Sequence, residues 1–323
     1  MEEQSVGRQV IHPIIRAVIL GGIAFYIARL QLTGHLTLYI APRMTIYVKL
    51  AAIALYGVAV VQIYQAFKLW NGKEDDCGCE HPPSPSLIRN ILVYGLFIVP
   101  LAVFIFTPDT TIGSAMAAQK GMTLSTSGSI KMKEKNAAAD PSLLSADVSA
   151  QAASAPQSTP GSPEDAPSAD GPQSELAKLF PADEFTEAYS KYGMELYQKP
   201  LITVTEKNYM EILTTIDLYL DNFIGKKLTM EGFVYRDETL AANQFILGRF
   251  AVQCCTADAL PYGVLVNAAD AGAYKNDTWL RMTGTINKTQ YNGTDVILFT
   301  AGKSEKIKPS DDPYVYPDYD FGL

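Results

Sequence analysis

Three long apolar runs fill the first third of the chain and constrain its fold more than any other feature. They cover residues 10–32, 44–67 and 88–107. About 20 consecutive apolar residues are needed to cross the hydrocarbon core of a bilayer, and each run is long enough. The sequence therefore predicts a helical transmembrane anchor over residues 1–107.

Charge near the first run indicates how the anchor is oriented. Three spans place the N-terminus and the C-terminal part on opposite sides, and Arg8 and Arg16 favour a cytoplasmic N-terminus by the positive-inside rule. We expect a multi-pass protein of the cell membrane with an extracytoplasmic C-terminal domain. The net charge of −8 argues against nucleic acid as a partner, because phosphate binding needs a basic surface.

A segment of biased composition follows the anchor. Between residues 137 and 174, 26 of 38 residues are Ala, Ser, Pro or Gly, and the segment has no basic or aromatic residue. Such a composition buries too little apolar surface to offset the entropy lost on ordering. We therefore predict a flexible linker over residues 108–174, its first part less biased than the rest.

Residues 175–323 read as a separate domain of α+β class. Two helical segments come first, at residues 175–198 and 206–223. Five segments with period-two alternation follow, at residues 227–235, 245–255, 261–266, 278–286 and 295–308. Glycine inside two of these strands marks sharp bends. The pattern predicts an OB-like five-stranded β-barrel preceded by helices. The aromatic tail after residue 309 is expected to pack on this domain, with a docking segment for another protein as the alternative.

The four cysteines fall in two close pairs, and the first pair lies between the second and third spans. Cys77, Cys79 and His81 stand within five residues there. Thiolate and imidazole are good ligands for zinc and other soft divalent ions. This loop is one candidate metal site, and a solvated loop with two spare thiols is the other interpretation.

The second pair, Cys254 and Cys255, lies at the end of the second predicted strand or in the loop after it. Successive side chains on a strand point to opposite faces, so both thiols reach one ion only where the backbone is irregular. Asp258 adds a carboxylate three residues on. Arg249, on the same strand, is expected to pair with Asp258 or to lower a thiol pKa.

Three interpretations of this second pair stay open. The cysteines are small buried hydrophobic residues at a tight turn, or ligands of a divalent metal ion such as zinc, or a thiol–disulfide pair. The absence of a C-x-x-C spacing weakens the thioredoxin-like version of the last.

The chain resembles the YcgQ-type family of bacterial membrane proteins. The resemblance rests on five segments and covers nearly the whole chain apart from the linker. The segments are residues 33–43, 106–121, 225–235, 249–259, which holds Cys-Cys-x-Ala-Asp-Ala, and 313–317. It implies a multi-span permease as partner and carries no established reaction. Relatives often have a His-rich run where this chain has Cys77 to His81.

Together these features predict an accessory subunit of a membrane permease rather than an enzyme. Its extracytoplasmic domain would bind or present a metal ion or a small solute at Cys254, Cys255 and Asp258. The alternatives are an extracytoplasmic thiol redox protein or sensor, and a structural envelope module that docks another protein.

Overall fold

The computed structural model describes residues 2–71, 87–125, 172–310 and 312–322. The α-helices among them are α1 (Glu2–Thr33), α2 (Thr45–Trp70), α3 (Leu87–Phe106), α4 (Ser114–Lys120), α5 (Pro172–Leu179), α6 (Glu187–Gln198), α7 (Tyr209–Leu218) and α8 (Leu220–Phe223). The strands are β1 (Leu201–Thr203), β2 (Lys227–Tyr235), β3 (Gln244–Ala251), β4 (Leu260–Asn267), β5 (Trp279–Tyr291), β6 (Thr294–Lys306) and β7 (Tyr314–Val315). The predicted α+β class is confirmed.

The chain divides into two compact units. The first comprises Met1–Ile112, Val252–Ala259 and Asp311–Pro313, and the second comprises Gly113–Ala251, Leu260–Ser310 and Tyr314–Leu323. The short segment Val252–Ala259 therefore belongs with the N-terminal helices, although it joins β3 to β4 in sequence.

Helices α1, α2 and α3 dominate the first unit. Three stretches within the described residues are long and apolar enough to cross a membrane, namely Val10–Thr33, Pro42–Trp70 and Ile88–Phe106. Most of the large apolar side chains of α2 and α3 are exposed, as expected for helices that face lipid. A hydrogen bond of 2.8 Å between His12 Nδ1 and Tyr94 Oη joins α1 to α3.

A seven-stranded sheet forms the core of the second unit. Five of its strands pair in a closed ring, in the order β2, β3, β4, β6, β5 and back to β2, with β4 and β6 parallel and the other pairs antiparallel. The short strands β1 and β7 add to β2 and β3 at the margins. The sheet thus has two strands more than the five-stranded barrel that we predicted. The ring of pairings is what a small barrel requires, and its assignment as OB-like stays a prediction.

Two helical boundaries differ from those that the sequence predicts. The expected helix over residues 175–198 is broken into α5 and α6, because Pro181 lacks an N–H donor and restricts Phe180. The next helix begins at Tyr209 rather than at Glu206, since the Asn208 side chain accepts hydrogen bonds from Thr205 and holds the preceding residues in a turn.

The start of the predicted linker also needs correction. Residues 113–125 belong to the second unit, where Ala117 and Leu124 are buried. The N–H of Thr123 donates to the Pro261 carbonyl at 2.9 Å, and Thr123 accepts in turn from Gly263 at 3.1 Å. The rest of the predicted linker, up to residue 171, lies outside the described residues.

From Tyr314 onward the C-terminal tail packs on the second unit, as the sequence predicts, whereas Asp311–Pro313 belongs to the first unit. Tyr314 and Val315 are buried and pair in parallel with the end of β3. The ring of Phe321 packs against that of Tyr189 in a tilted arrangement and against that of Tyr192 edge to face, with centroids at 4.9 and 5.4 Å. The tail is therefore part of the folded domain.

Close backbone approach at Gly284 gives a test of the ring. A Cβ atom at this position would lie 2.2 Å from the Thr300 carbonyl oxygen, whereas one at Gly272 would meet nothing within 4 Å. We expect Gly284→Ala to destabilise the full-length protein by about 1–3 kcal/mol, because β5 must move away from β6. Urea unfolding in detergent measures the change, and Gly272→Ala is the matched control. Equal stability of the two variants would contradict the close approach of β5 to β6.

Candidate functional site

The candidate site lies on the segment Val252–Ala259, which we call the cysteine loop. Its two ends are anchored, since Val252 is 1% exposed and Ala259 is fully buried. The residues between them are more accessible: Cys254 is exposed and Cys255 half-buried, both with free thiols. The loop thus presents its thiols from fixed ends.

Asp258 determines the shape of the loop. Its carboxylate accepts three backbone N–H groups, from Gln253 and Cys254 at 2.8 Å each and from Cys255 at 3.2 Å. A single turn of 3₁₀ helix, Thr256–Asp258, brings the carboxylate back over these donors. The Cys255 side chain in turn accepts the N–H of Asp258, as in a capping box.

The resulting backbone is irregular, which is the condition for both thiols to point towards one place. The two sulfur atoms lie 3.7 Å apart. One ligand atom from each of Cys254, Cys255 and Asp258 lies within 4.8 Å of the others. The structure therefore brings together the three residues that the sequence singles out here.

The pKa values of the loop follow from its hydrogen bonds. The bond to Asp258, followed by that to Cys255, raises the pKa of the Cys254 thiol from 9.0 to about 11. Burial acts to raise the pKa of Asp258, but hydrogen bonds from the Cys254 thiol and from the three backbone groups lower it overall. Because the loop holds the ionised carboxylate, this stabilisation is present above the usual carboxyl pKa and is lost as acid protonates Asp258.

Arg249 has a different role from the one expected. Its side chain is 2% exposed, and it donates from Nη2 to Oε1 of Glu206 at 3.1 Å. Its guanidinium also lies over the ring of Trp279, 5.2 Å from the centroid. The pKa of the Cys254 thiol is raised and not lowered, and the expected pairing of Arg249 with Asp258 stays a prediction.

The other predicted metal site, at Cys77, Cys79 and His81, lies outside the described residues. Its three ligands stay a prediction from the sequence.

Sequence reasoning missed the residues that support the cysteine loop from the first unit. Ile40 and Cys255 form an antiparallel bridge, and the Asp109 carboxylate bonds to the side chains of His35 and Tyr39. One signal was available, because His35 and Asp109 each stand just after a membrane span. Polar residues at such a position often have a partner from another span.

Removing the charge of Asp258 should make Cys254 more reactive. Asp258→Asn keeps an oxygen that accepts backbone N–H groups but has no negative charge to disfavour the thiolate. The pKa of Cys254 then falls towards 9.0, and alkylation at neutral pH accelerates by up to about a hundredfold. Iodoacetamide labelling of Cys254, followed by mass spectrometry across a pH series, measures this.

The matched control for this variant is Asp320→Asn, in the C-terminal tail, which should leave the labelling rate unchanged. An Asp258→Asn protein that labels at the parental rate would show that Asp258 does not set the pKa of Cys254.

Comparisons with known proteins point to one family over most of the chain. Residues 15–123 match the DUF1980 N-terminal domain, and residues 179–317 match the DUF1980 C-terminal domain. The chain is 26% identical to "UPF0703 protein YcgQ" of Bacillus subtilis (strain 168) over 318 residues, which are 94% of this chain and 99% of the relative.

A second relative comes from Streptococcus mutans serotype c and bears the name "Putative two-component membrane permease complex subunit". It is 32% identical over 119 residues, which are 36% of this chain and 42% of the relative. No solved structure matches. The two domain matches cover both the helical part and the sheet of this protein. The chain therefore belongs to the DUF1980 family of YcgQ-like membrane proteins.

Proposed function

We propose that this chain is an accessory subunit of a membrane permease and that its cysteine loop binds a soft divalent metal ion such as zinc. The name of the Streptococcus mutans relative supports the permease role. The three apolar helices support it as well, since three spans rarely enclose a transport pathway and call for a partner with more spans. We take that partner to be the multi-span permease which the family resemblance implies.

One distance carries the metal proposal. Two thiolates on a tetrahedral zinc ion, each about 2.3 Å from the metal, lie about 3.8 Å apart. The sulfur atoms of Cys254 and Cys255 are 3.7 Å apart. A metal ion would therefore fit between them without a change in their separation.

Protonation of the thiols makes metal binding at the loop depend on pH. The Asp258 carboxylate, followed by Cys255, raises the pKa of the Cys254 thiol to about 11, so protons compete with a metal ion for this sulfur. A divalent ion held by both thiolates and the Asp258 carboxylate would displace the protons of both thiols and balance the negative charge of the three ligands. Three protein ligands leave a fourth tetrahedral position open for water or for a ligand from the partner.

Thiol–disulfide chemistry fits the loop less well. Reactive thiols have lowered pKa values because the thiolate is the nucleophile, whereas the pKa of Cys254 is raised. Binding and presentation of a metal ion is the better interpretation, and we propose no catalysed reaction.

The proposed location is the cell membrane, with the N-terminus in the cytoplasm. In this orientation α1 and α3 both end on the extracytoplasmic side. The connection between α1 and α2, which carries Tyr39 and Ile40, lies on that side as well. The loop would then meet metal ions outside the cytoplasm.

Metal binding is tested on the full-length protein in detergent, in a Cys77→Ser/Cys79→Ser/His81→Ala background that removes the other candidate site. We expect one zinc ion per chain, with an affinity that increases from about pH 6 to about pH 8 because binding releases thiol protons. Cadmium, followed by its thiolate charge-transfer absorbance, reports the sulfur ligands directly.

Adding Cys254→Ser/Cys255→Ser to this background should abolish the absorbance, and Asp258→Asn should weaken zinc binding about 10- to 100-fold. Asp320→Asn serves as the control. Unchanged zinc stoichiometry after loss of both thiols would exclude the proposed site.

The permease role is tested separately. Affinity purification from native membranes in a mild detergent should retain a multi-span membrane protein, identified by mass spectrometry. The Cys254→Ser/Cys255→Ser variant should retain it too if the helices make the main contact. Recovery of the chain without any such protein would contradict the permease proposal and would not affect the proposal that the cysteine loop binds metal.

A further inference from the structure

The ends of two membrane helices are tied together by one carboxylate. Asp109 lies just after α3, and it bonds to His35, just after α1, at 2.8 Å. It also accepts the phenol O–H of Tyr39 at 2.7 Å. The Asp109 side chain is only 11% exposed, whereas that of His35 is 47% exposed, so the inner part of this network is sheltered from water.

The charge state of the network strengthens these bonds. The hydrogen bond from Tyr39, and next that from His35, lowers the pKa of Asp109. Burial, together with the bond to Asp109, raises the pKa of Tyr39. An ionised carboxylate therefore faces a neutral phenol, and hydrogen bonds to an ionised acceptor are shorter and stronger than neutral ones.

Tyr39 is bound at its other end to the cysteine loop. Its backbone carbonyl accepts the N–H of Thr256 at 2.9 Å, and the N–H of Ala41 donates to the Cys254 carbonyl at 3.0 Å. Between these two bonds, Ile40 lies opposite Cys255. The connection between α1 and α2 thus holds the backbone on both sides of Cys255.

This arrangement makes the ligand geometry depend on the helix ends. The three ligand atoms lie within 4.8 Å of one another, while ligands of one tetrahedral zinc ion stand less than about 4 Å apart. The ligand atoms come closer on an ion by side-chain rotation or by a shift of the loop backbone, and a backbone shift is passed to residues 39–41 through their hydrogen bonds. If two arrangements of the loop differ in these bonds, a bound ion favours one of them.

We propose that metal binding at the cysteine loop is coupled to the junction of α1, α2 and α3 through Tyr39 and Asp109, which act as positioning residues. This inference rests on the proposed function, because it concerns the regulation of the same site. Coupling is reciprocal, so the ion stabilises one arrangement of the helix ends and that arrangement favours the ion. A permease subunit with this link would report metal occupancy to its membrane part.

The affinity test uses full-length protein in detergent, with zinc as the probe and the Cys77→Ser/Cys79→Ser/His81→Ala background. Tyr39→Phe removes only the hydroxyl that donates to Asp109. Asp109→Asn removes the negative charge of the carboxylate that accepts this hydrogen bond. We expect each to weaken zinc binding about tenfold without changing the stoichiometry, a typical size for a coupling effect. Tyr47→Phe, on the exposed face of α2, and Asp320→Asn are the matched controls.

Hydrogen exchange supplies the readout that a merely structural role would not change. In the parent background, zinc should slow exchange in residues 34–44, and this protection should be lost in Tyr39→Phe, whereas peptides from α7 should not respond. If Asp109→Asn does not fold, Tyr39→Phe alone decides.

Two results would overturn the coupling. The coupling is contradicted if both variants bind zinc with the parental affinity and zinc does not protect residues 34–44 from exchange. The proposed metal site would remain valid in that case. Failure of the parent itself to bind zinc removes the proposed metal site, and the coupling with it.

Discussion

The candidate site depends on one carboxylate that accepts three backbone N–H groups. If Asp258 were absent, the backbone N–H groups of Gln253, Cys254 and Cys255 would lose their shared acceptor. Successive side chains would then point in opposite directions, as they do along a strand. Convergence of the three donors on one anion bends the chain into a concave turn, as in other anion-binding backbone nests. The same bend directs the two thiols towards each other, so the ligand pair is a consequence of the turn.

That carboxylate imposes a trade-off on the thiols. It stabilises the loop as an anion, and it keeps the Cys254 thiol protonated by raising its pKa to about 11. A protonated thiol is a slow nucleophile, which protects an exposed cysteine from unwanted oxidation and alkylation. The cation that we propose would replace the thiol protons and balance the charge of the carboxylate and the thiolates together. A raised thiol pKa suits nucleophilic chemistry poorly, and this is why we propose ion binding instead.

Local patterns account for what could be predicted. Apolar length revealed the three helices, period-two alternation revealed β2 to β6, and the close spacing of Cys254, Cys255 and Asp258 revealed their association. The failures concern contacts between residues far apart in sequence. Arg249 pairs with Glu206, 43 positions away, and Ile40 pairs with Cys255 through backbone atoms that leave no trace in residue type. Residues 113–125 were assigned to a linker because Ala117 and Leu124 reveal their burial only when their neighbours are known.

The backbone bridge between Ile40 and Cys255 ties the cysteine loop to the connection between α1 and α2. A metal site carried only by the sheet would need no contact with the helices, and a flexible linker would isolate the two. Here the cysteine loop belongs to the same compact unit as α1, α2 and α3. Tyr39 bonds through its carbonyl to the loop and through its phenol to Asp109. An ion at the proposed site would therefore lie within one or two hydrogen bonds of the helix ends.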